Sequence, residues 1–184
     1  MTTGREYEGY MRLTIVPGIG GSDPTHWQSR WEAQDATALR IAPSSWDEPE
    51  LDDWLRALDV AVAAQGSDTI LVAHSLGTLA AAEWLVRHPG RVAGALLVAP
   101  PDRFGSEFPA AAPSFLDIEP APLGVPALVV ASDDDHYCEI GVAEQLAQAW
   151  GAEFVNLGSF GHVNAASNLG DWQAGRDLLA QTLE

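Results

Sequence analysis

Ser75, His162 and a run of three aspartates, Asp133, Asp134 and Asp135, have the types and the chain order that nucleophilic catalysis needs. A serine hydroxyl is a weak nucleophile until a base takes its proton, and that base needs an acid to orient it. Ser75 lies in Thr-Ile-Leu-Val-Ala-His-Ser-Leu-Gly, residues 69–77, between one apolar run and another. The layout reads as a buried strand, a sharp turn and a helix, which pushes the hydroxyl out at the top of a sheet. The pattern is G-x-S-x-G with Ala73 at the first glycine position, the smallest available substitute.

On a doubly wound sheet of this kind the chain order is serine, then acid, then histidine. The apolar run 127–131 ends in Ser132-Asp133-Asp134-Asp135-His136-Tyr137, which puts carboxylates at a strand's carboxyl end, where ligands bind. The next strand ends near Asn156, and Gly161-His162 follows on a loop. Only one aspartate can face the His162 ring. Three adjacent carboxylates repel, which calls for one to be protonated or held by backbone N–H groups.

A tetrahedral intermediate needs two N–H donors. The first is Leu76, at the start of the helix, where the dipole also favours negative charge. The second is expected from the loop Val16-Pro17-Gly18-Ile19-Gly20-Gly21-Ser22, with Ile19 as the donor. Neither glycine-rich phosphate motif follows that loop, which argues against a nucleotide site. Four further positions are candidate pocket residues, each with a packing alternative: Trp27, His74, His136 and Phe104. Trp27 and Trp31 share a helix face and also suit an inward packing role. His74 immediately precedes Ser75, with its ring expected to point away from the attack direction, and His136 abuts the acidic run.

The elements that must hold these groups follow from periodicity. Strands are expected at 13–16, 39–41, 69–73, 94–99, 127–131 and 153–156, and helices at 26–34, 50–64, 76–88, 140–150 and 172–183. Leu51, Trp54, Leu55, Leu58 and Val62 recur at helical spacing and form one core-facing stripe. The runs 70–73 and 96–99 are apolar at every position, as strands buried on both faces require. The expected architecture is a three-layer α/β/α sandwich on a mainly parallel six-stranded sheet. Residues 100–126 hold seven prolines and little periodicity. They read as a long excursion beside the nucleophile, with Phe104, Phe108 and Phe115 either lining a pocket or anchoring the loop.

At 184 residues the chain fits one domain at 12–184, after a loose tail at 1–11. Nine basic against 26 acidic side chains give a net charge of −17, which disfavours nucleic acid and anionic membranes as partners. The single cysteine, Cys138, allows no internal disulfide and reads as a packing residue. No run approaches the roughly 18 apolar residues of a membrane span, and no signal peptide is visible at the start, so a cytoplasmic location is expected.

The chain resembles the small single-domain α/β-hydrolases of the YdeN-like type, related to the retinoblastoma-binding-protein serine hydrolases. The residues that carry the resemblance are Val16-Pro-Gly, His26-Trp27-Gln28-Ser29-Arg30-Trp31-Glu32, Val72-Ala73-His74-Ser75-Leu76-Gly77, Ala131-Ser132 with Asp135-His136-Tyr137, and Gly161-His162-Val163-Asn164-Ala165-Ala166. In the family the acid precedes a proline and then an aromatic residue. His136 occupies the proline position here, so Asp135 aligns as the acid, with Asp134 as the second choice. The resemblance implies an α/β-hydrolase fold without a large cap domain, acting on a small-molecule or peptide-like acyl substrate, with no metal and no organic cofactor. The expected activity is cleavage of an ester, thioester or amide through an acyl-enzyme. The rivals are a non-catalytic protein-binding module on the same scaffold, and acyl transfer to an acceptor other than water.

Overall fold

A computed structural model describes residues 12–182, so the tail expected at 1–11 and the end of the last helix at 183 lie outside the described residues. Six strands form one sheet: β1 Arg12–Val16, β2 Leu39–Arg40, β3 Thr69–His74, β4 Gly94–Val98, β5 Ala127–Ala131 and β6 Glu153–Asn156. Their spatial order is β2-β1-β3-β4-β5-β6, and every neighbouring pair is parallel. Five helices connect or follow them: α1 Trp27–Gln34, α2 Leu51–Gln65, α3 Leu76–Arg87, α4 Ile140–Trp150 and α5 Gln173–Thr182.

Side chains on a strand alternate between its two faces, and the apolar runs divide accordingly. Val16, Leu71, Ala73, Leu97 and Val129 pack with α2, α3 and α4. Ile15, Ile70, Val72, Leu96, Leu128 and Val130 pack with Trp27 and Trp31 of α1 and Leu179 of α5. Unbroken apolarity is therefore two interleaved cores, and the molecule has three layers. The stripe expected on α2 is buried from Leu51 to Val62. β4 stops one residue short of expectation because Ala99 turns into left-handed backbone at φ 52°.

The chain runs from β1 outward to β2 and then returns past β1 to β3. The carboxyl ends of β1 and β3 thus flank the point where the winding reverses, which is where open α/β sheets bind ligands. Gln28 ties α1 to that point, donating through its amide to the carbonyls of Val16 (3.3 Å) and Val72 (2.9 Å). No helix among the described residues is long and apolar enough to cross a membrane.

The proline-rich excursion is anchored as well as lining. Phe115 is fully buried, and its ring stands 5.6 Å from that of Trp54, nearly perpendicular to it. Phe108 is half-buried against the same core. Phe104 does neither: it is 80% exposed, with only the Arg103 guanidinium over its ring.

Candidate active site

Ser75 is the hinge between β3 and α3, and its backbone sits at φ 53°, ψ −129°. A non-glycine residue in that region is strained. The turn stays closed because neighbouring backbone comes very near. A Cβ on Gly77 would run into the carbonyl oxygens of Val16 and Pro17. One on Gly18 would come within 2.8 Å of the Ser75 Cβ. The loop after β1, the serine and the helix start are therefore packed against one another without side chains between them.

His162 Nε2 lies 2.8 Å from Ser75 Oγ, although 87 positions separate the two residues. On the other side of the ring, Nδ1 lies 2.8 Å from Asp135 Oδ2, and both side chains are buried. The second oxygen of Asp135 accepts the Tyr137 N–H at 3.0 Å. A carboxylate at Nδ1 keeps the proton there and leaves the Nε2 lone pair facing the serine hydroxyl. The three aspartates have separate partners. Asp133 accepts from the Asn156 amide at 2.7 Å. Asp134 accepts the Gly161 N–H at 2.7 Å and the Ser132 hydroxyl at 2.8 Å. The Gly161 N–H, followed by the Ser132 hydroxyl, holds the Asp134 carboxyl below the usual range. Each of the three carboxylates thus accepts from its own neighbouring donor.

These groups open into a cavity of about 700 Å³. Gly18, Ile19 and His26 supply one wall, from the loop after β1. Pro101, Glu107 and Pro109, from the proline-rich excursion, and Asn164 to Ala166, from the loop after His162, also line it. Leu76 and Ile19 both line it. The Leu76 N–H is the first of α3, where no intrahelical acceptor exists.

Of the four candidate pocket residues, His74 lines the cavity, buried, with Nε2 2.9 Å from the His162 carbonyl oxygen. The other three are not among the residues that line it. Trp27 is buried among Trp31 and Trp172, and its indole N–H donates to the Val163 carbonyl at 2.8 Å. His136 is exposed, with its ring tilted 4.1 Å from that of Tyr137 and 6.4 Å from that of His162. Phe104 lies on the far, solvent side of its loop. Tyr137 takes the position expected of His136, with its ring 4.4 Å from the His162 ring. Its place two residues after Asp135, as the aromatic of the motif, was the available signal.

His26 lines the cavity without having been a candidate for it. Its Nδ1 accepts the Gln28 N–H and caps α1. Burial lowers its pKa to about 4 and pushes His74 well below the ordinary histidine value, so both are neutral. An imidazolium forming on His162 thus meets no second cation from either ring. Cys138 is buried, and burial raises its thiol pKa to about 12, which removes it as a nucleophile.

The family model described as serine hydrolase matches residues 13–181. A YdeN-like hydrolase from Pectobacterium atrosepticum is 33% identical, with a TM-score of 0.82 over 94% of this chain and 90% of that one. The ydeN gene product from B. subtilis is 23% identical, with a TM-score of 0.74 over 94% and 98%. Est1E from Butyrivibrio proteoclasticus, solved with ferulic acid bound, shares the fold at 14% identity and a TM-score of 0.72 over 94% and 89%. No curated protein matches the chain. Matched along almost its whole length and sharing a third of its residues with a YdeN-like hydrolase, the chain belongs to the serine hydrolase family, among the YdeN-like members.

Proposed function

We propose that this hydrolase cleaves a short acyl ester, thioester or activated amide through an acyl-enzyme on Ser75. The reading is carried by one observation: His162 bridges Ser75 Oγ and Asp135 Oδ2 at 2.8 Å on each side. In the first step Oγ bonds to the substrate carbonyl carbon while its proton passes to His162 Nε2. Asp135 holds the tautomer and stabilises the imidazolium. The N–H groups of Leu76 and Ile19 receive the oxyanion. The leaving group departs with the proton from Nε2, and water attacks the ester in the reverse sense.

The cavity favours a short acyl group, since about 700 Å³ must hold both sides of the scissile bond and no large cap covers it among the described residues. The carboxylates in its lining, Asp23 and Glu107, disfavour anionic substrates. A cytoplasmic setting belongs to the same reading. The test is turnover of short and long p-nitrophenyl esters by the natural protein and Ser75→Ala, with fluorophosphonate labelling in parallel. Short esters should turn over faster, and both signals should vanish in Ser75→Ala. Equal rates in the two proteins would exclude Ser75.

A further inference from the structure

The loop that carries His162 contains a backbone conformation that its own sequence disfavours. Val163 is fully buried and sits at φ 48°. For a β-branched residue this is a genuine outlier, of the kind that persists only where the surroundings impose it. The carbonyls on either side of that torsion are both held from outside the loop. The His162 carbonyl lies 2.9 Å from His74 Nε2, and the Val163 carbonyl accepts the Trp27 indole N–H at 2.8 Å. A carbonyl oxygen only accepts, so His74 carries its proton on Nε2.

Both donors stand on rigid elements. His74 ends β3, next to Ser75 in the chain, and its ring packs 5.0 Å from that of His162 and 4.6 Å from that of His26. Trp27 is the first residue of α1, wedged 4.9 Å from Trp31 and 4.8 Å from Trp172. Its neighbour Gln28 is bonded to the ends of β1 and β3. The strand that presents the nucleophile thus also holds the loop that presents the base.

We propose that His74 and Trp27 are positioning residues: their buried N–H groups fix the consecutive carbonyls of His162 and Val163, impose the left-handed backbone at Val163, and so set His162 Nε2 on Ser75 Oγ. The proposal rests on the reading of Ser75 and His162 as nucleophile and base. Without the two grips, Val163 relaxes to φ < 0 and carries the imidazole off line. A displacement of about 1 Å is worth on the order of 100-fold in rate.

The experiment compares Trp27→Phe, His74→Leu, His74→Gln and the double variant Trp27→Phe/Val163→Gly. Trp27→Phe keeps an aromatic ring in the tryptophan cluster, so it preserves the fold while removing the N–H. Two readouts are taken: kcat and KM on a short ester, and the far-downfield proton signal of the Asp135–His162 hydrogen bond. Trp27→Phe and His74→Leu should each lower kcat roughly 10- to 100-fold with KM within about twofold, and should shift or broaden the downfield proton. His74→Gln, which keeps an N–H donor, should lose less than His74→Leu. Adding Val163→Gly should recover part of kcat, because glycine holds φ > 0 without strain, while lowering Tm further. Unchanged kcat and downfield signal in either Trp27→Phe or His74→Leu would overturn the proposal. So would a loss of Tm alone, or no recovery with Val163→Gly. The proton signal needs no substrate. If it shifts as expected in a protein that turns over no ester, the positioning stands and the hydrolytic reading falls.

Discussion

Asp134 and Gly161 are joined by a 2.7 Å hydrogen bond from the Gly161 N–H to the Asp134 carboxylate. Each is the chain neighbour of a residue in the Asp135–His162 pair, so the acid turn and the base loop are tied twice over one short span. The two adjacent aspartates hold different parts of the same machinery. Asp135 touches the imidazole, while Asp134 shapes the loop that delivers it.

Their substitutions should therefore differ in kind. Asp135→Asn leaves the shape intact but favours the wrong tautomer, and kcat should fall roughly 10³- to 10⁴-fold, with KM little changed. Asp134→Asn keeps the loop partly bonded, and kcat should fall by less than about tenfold with a lower Tm. Steady-state kinetics on one short ester decide it, and a larger loss at Asp134 would reverse the assignment.

Gly77→Ala sets two effects in opposition within α3. Alanine gains about 1 kcal/mol of helix propensity. The added methyl, however, meets the backbone carbonyls of Val16 and Pro17, which cannot rotate away as a flexible side chain could. Overpacking of this kind costs about 1–3 kcal/mol, and against rigid backbone it falls at the upper end, so the clash wins. Urea unfolding should show a clear net loss of stability, and a gain would mean that β1 yields easily.

Stability should fall on acidification in a way that involves His26. Its folded pKa is lowered to about 4 from 6.5, first by burial, with Arg40 and His162 acting in the same direction and Asp23 against. The unfolded chain thus binds the proton more readily between those values, and stability rises with pH across that interval. The contribution is fully present above about pH 6.5 and is lost as pH falls toward 4, on the order of 3 kcal/mol. His26→Asn keeps an acceptor for the α1 cap and removes the titration. Chemical denaturation at several pH values should show a shallower decline in the variant, and parallel declines would contradict it.

Phe115 and Phe104 share a loop and a residue type, yet their truncations should behave oppositely. Phe115→Ala removes a fully buried ring stacked edge-on to Trp54 and should cost about 3–5 kcal/mol. Phe104→Ala should stay within about 0.5 kcal/mol and leave kcat/KM unchanged. A marked rise in KM for Phe104→Ala would bring that ring back into the substrate path.

The sequence by itself carried the layout. Unbroken apolar runs such as 70–73 forecast strands covered on both faces, because parallel strands under two helical layers have no polar side to show. Ser75 between its strand and helix, and the order of serine, aspartate and histidine at three strand ends, were legible because they depend on spacing along the chain. Spacing alone left Asp134 and Asp135 open, since adjacent residues in a turn differ only in the direction the backbone gives them, and it was the family resemblance that pointed to Asp135. Direction also decided the aromatic residues. His136 turned outward and Tyr137 inward, Trp27 went into a buried cluster, and Phe115 into the core while Phe104 faced water. The left-handed backbone at Val163 is the clearest case: no local propensity of a β-branched residue favours it, and the carbonyls on either side of it are held by His74 and Trp27, which lie far away in the chain.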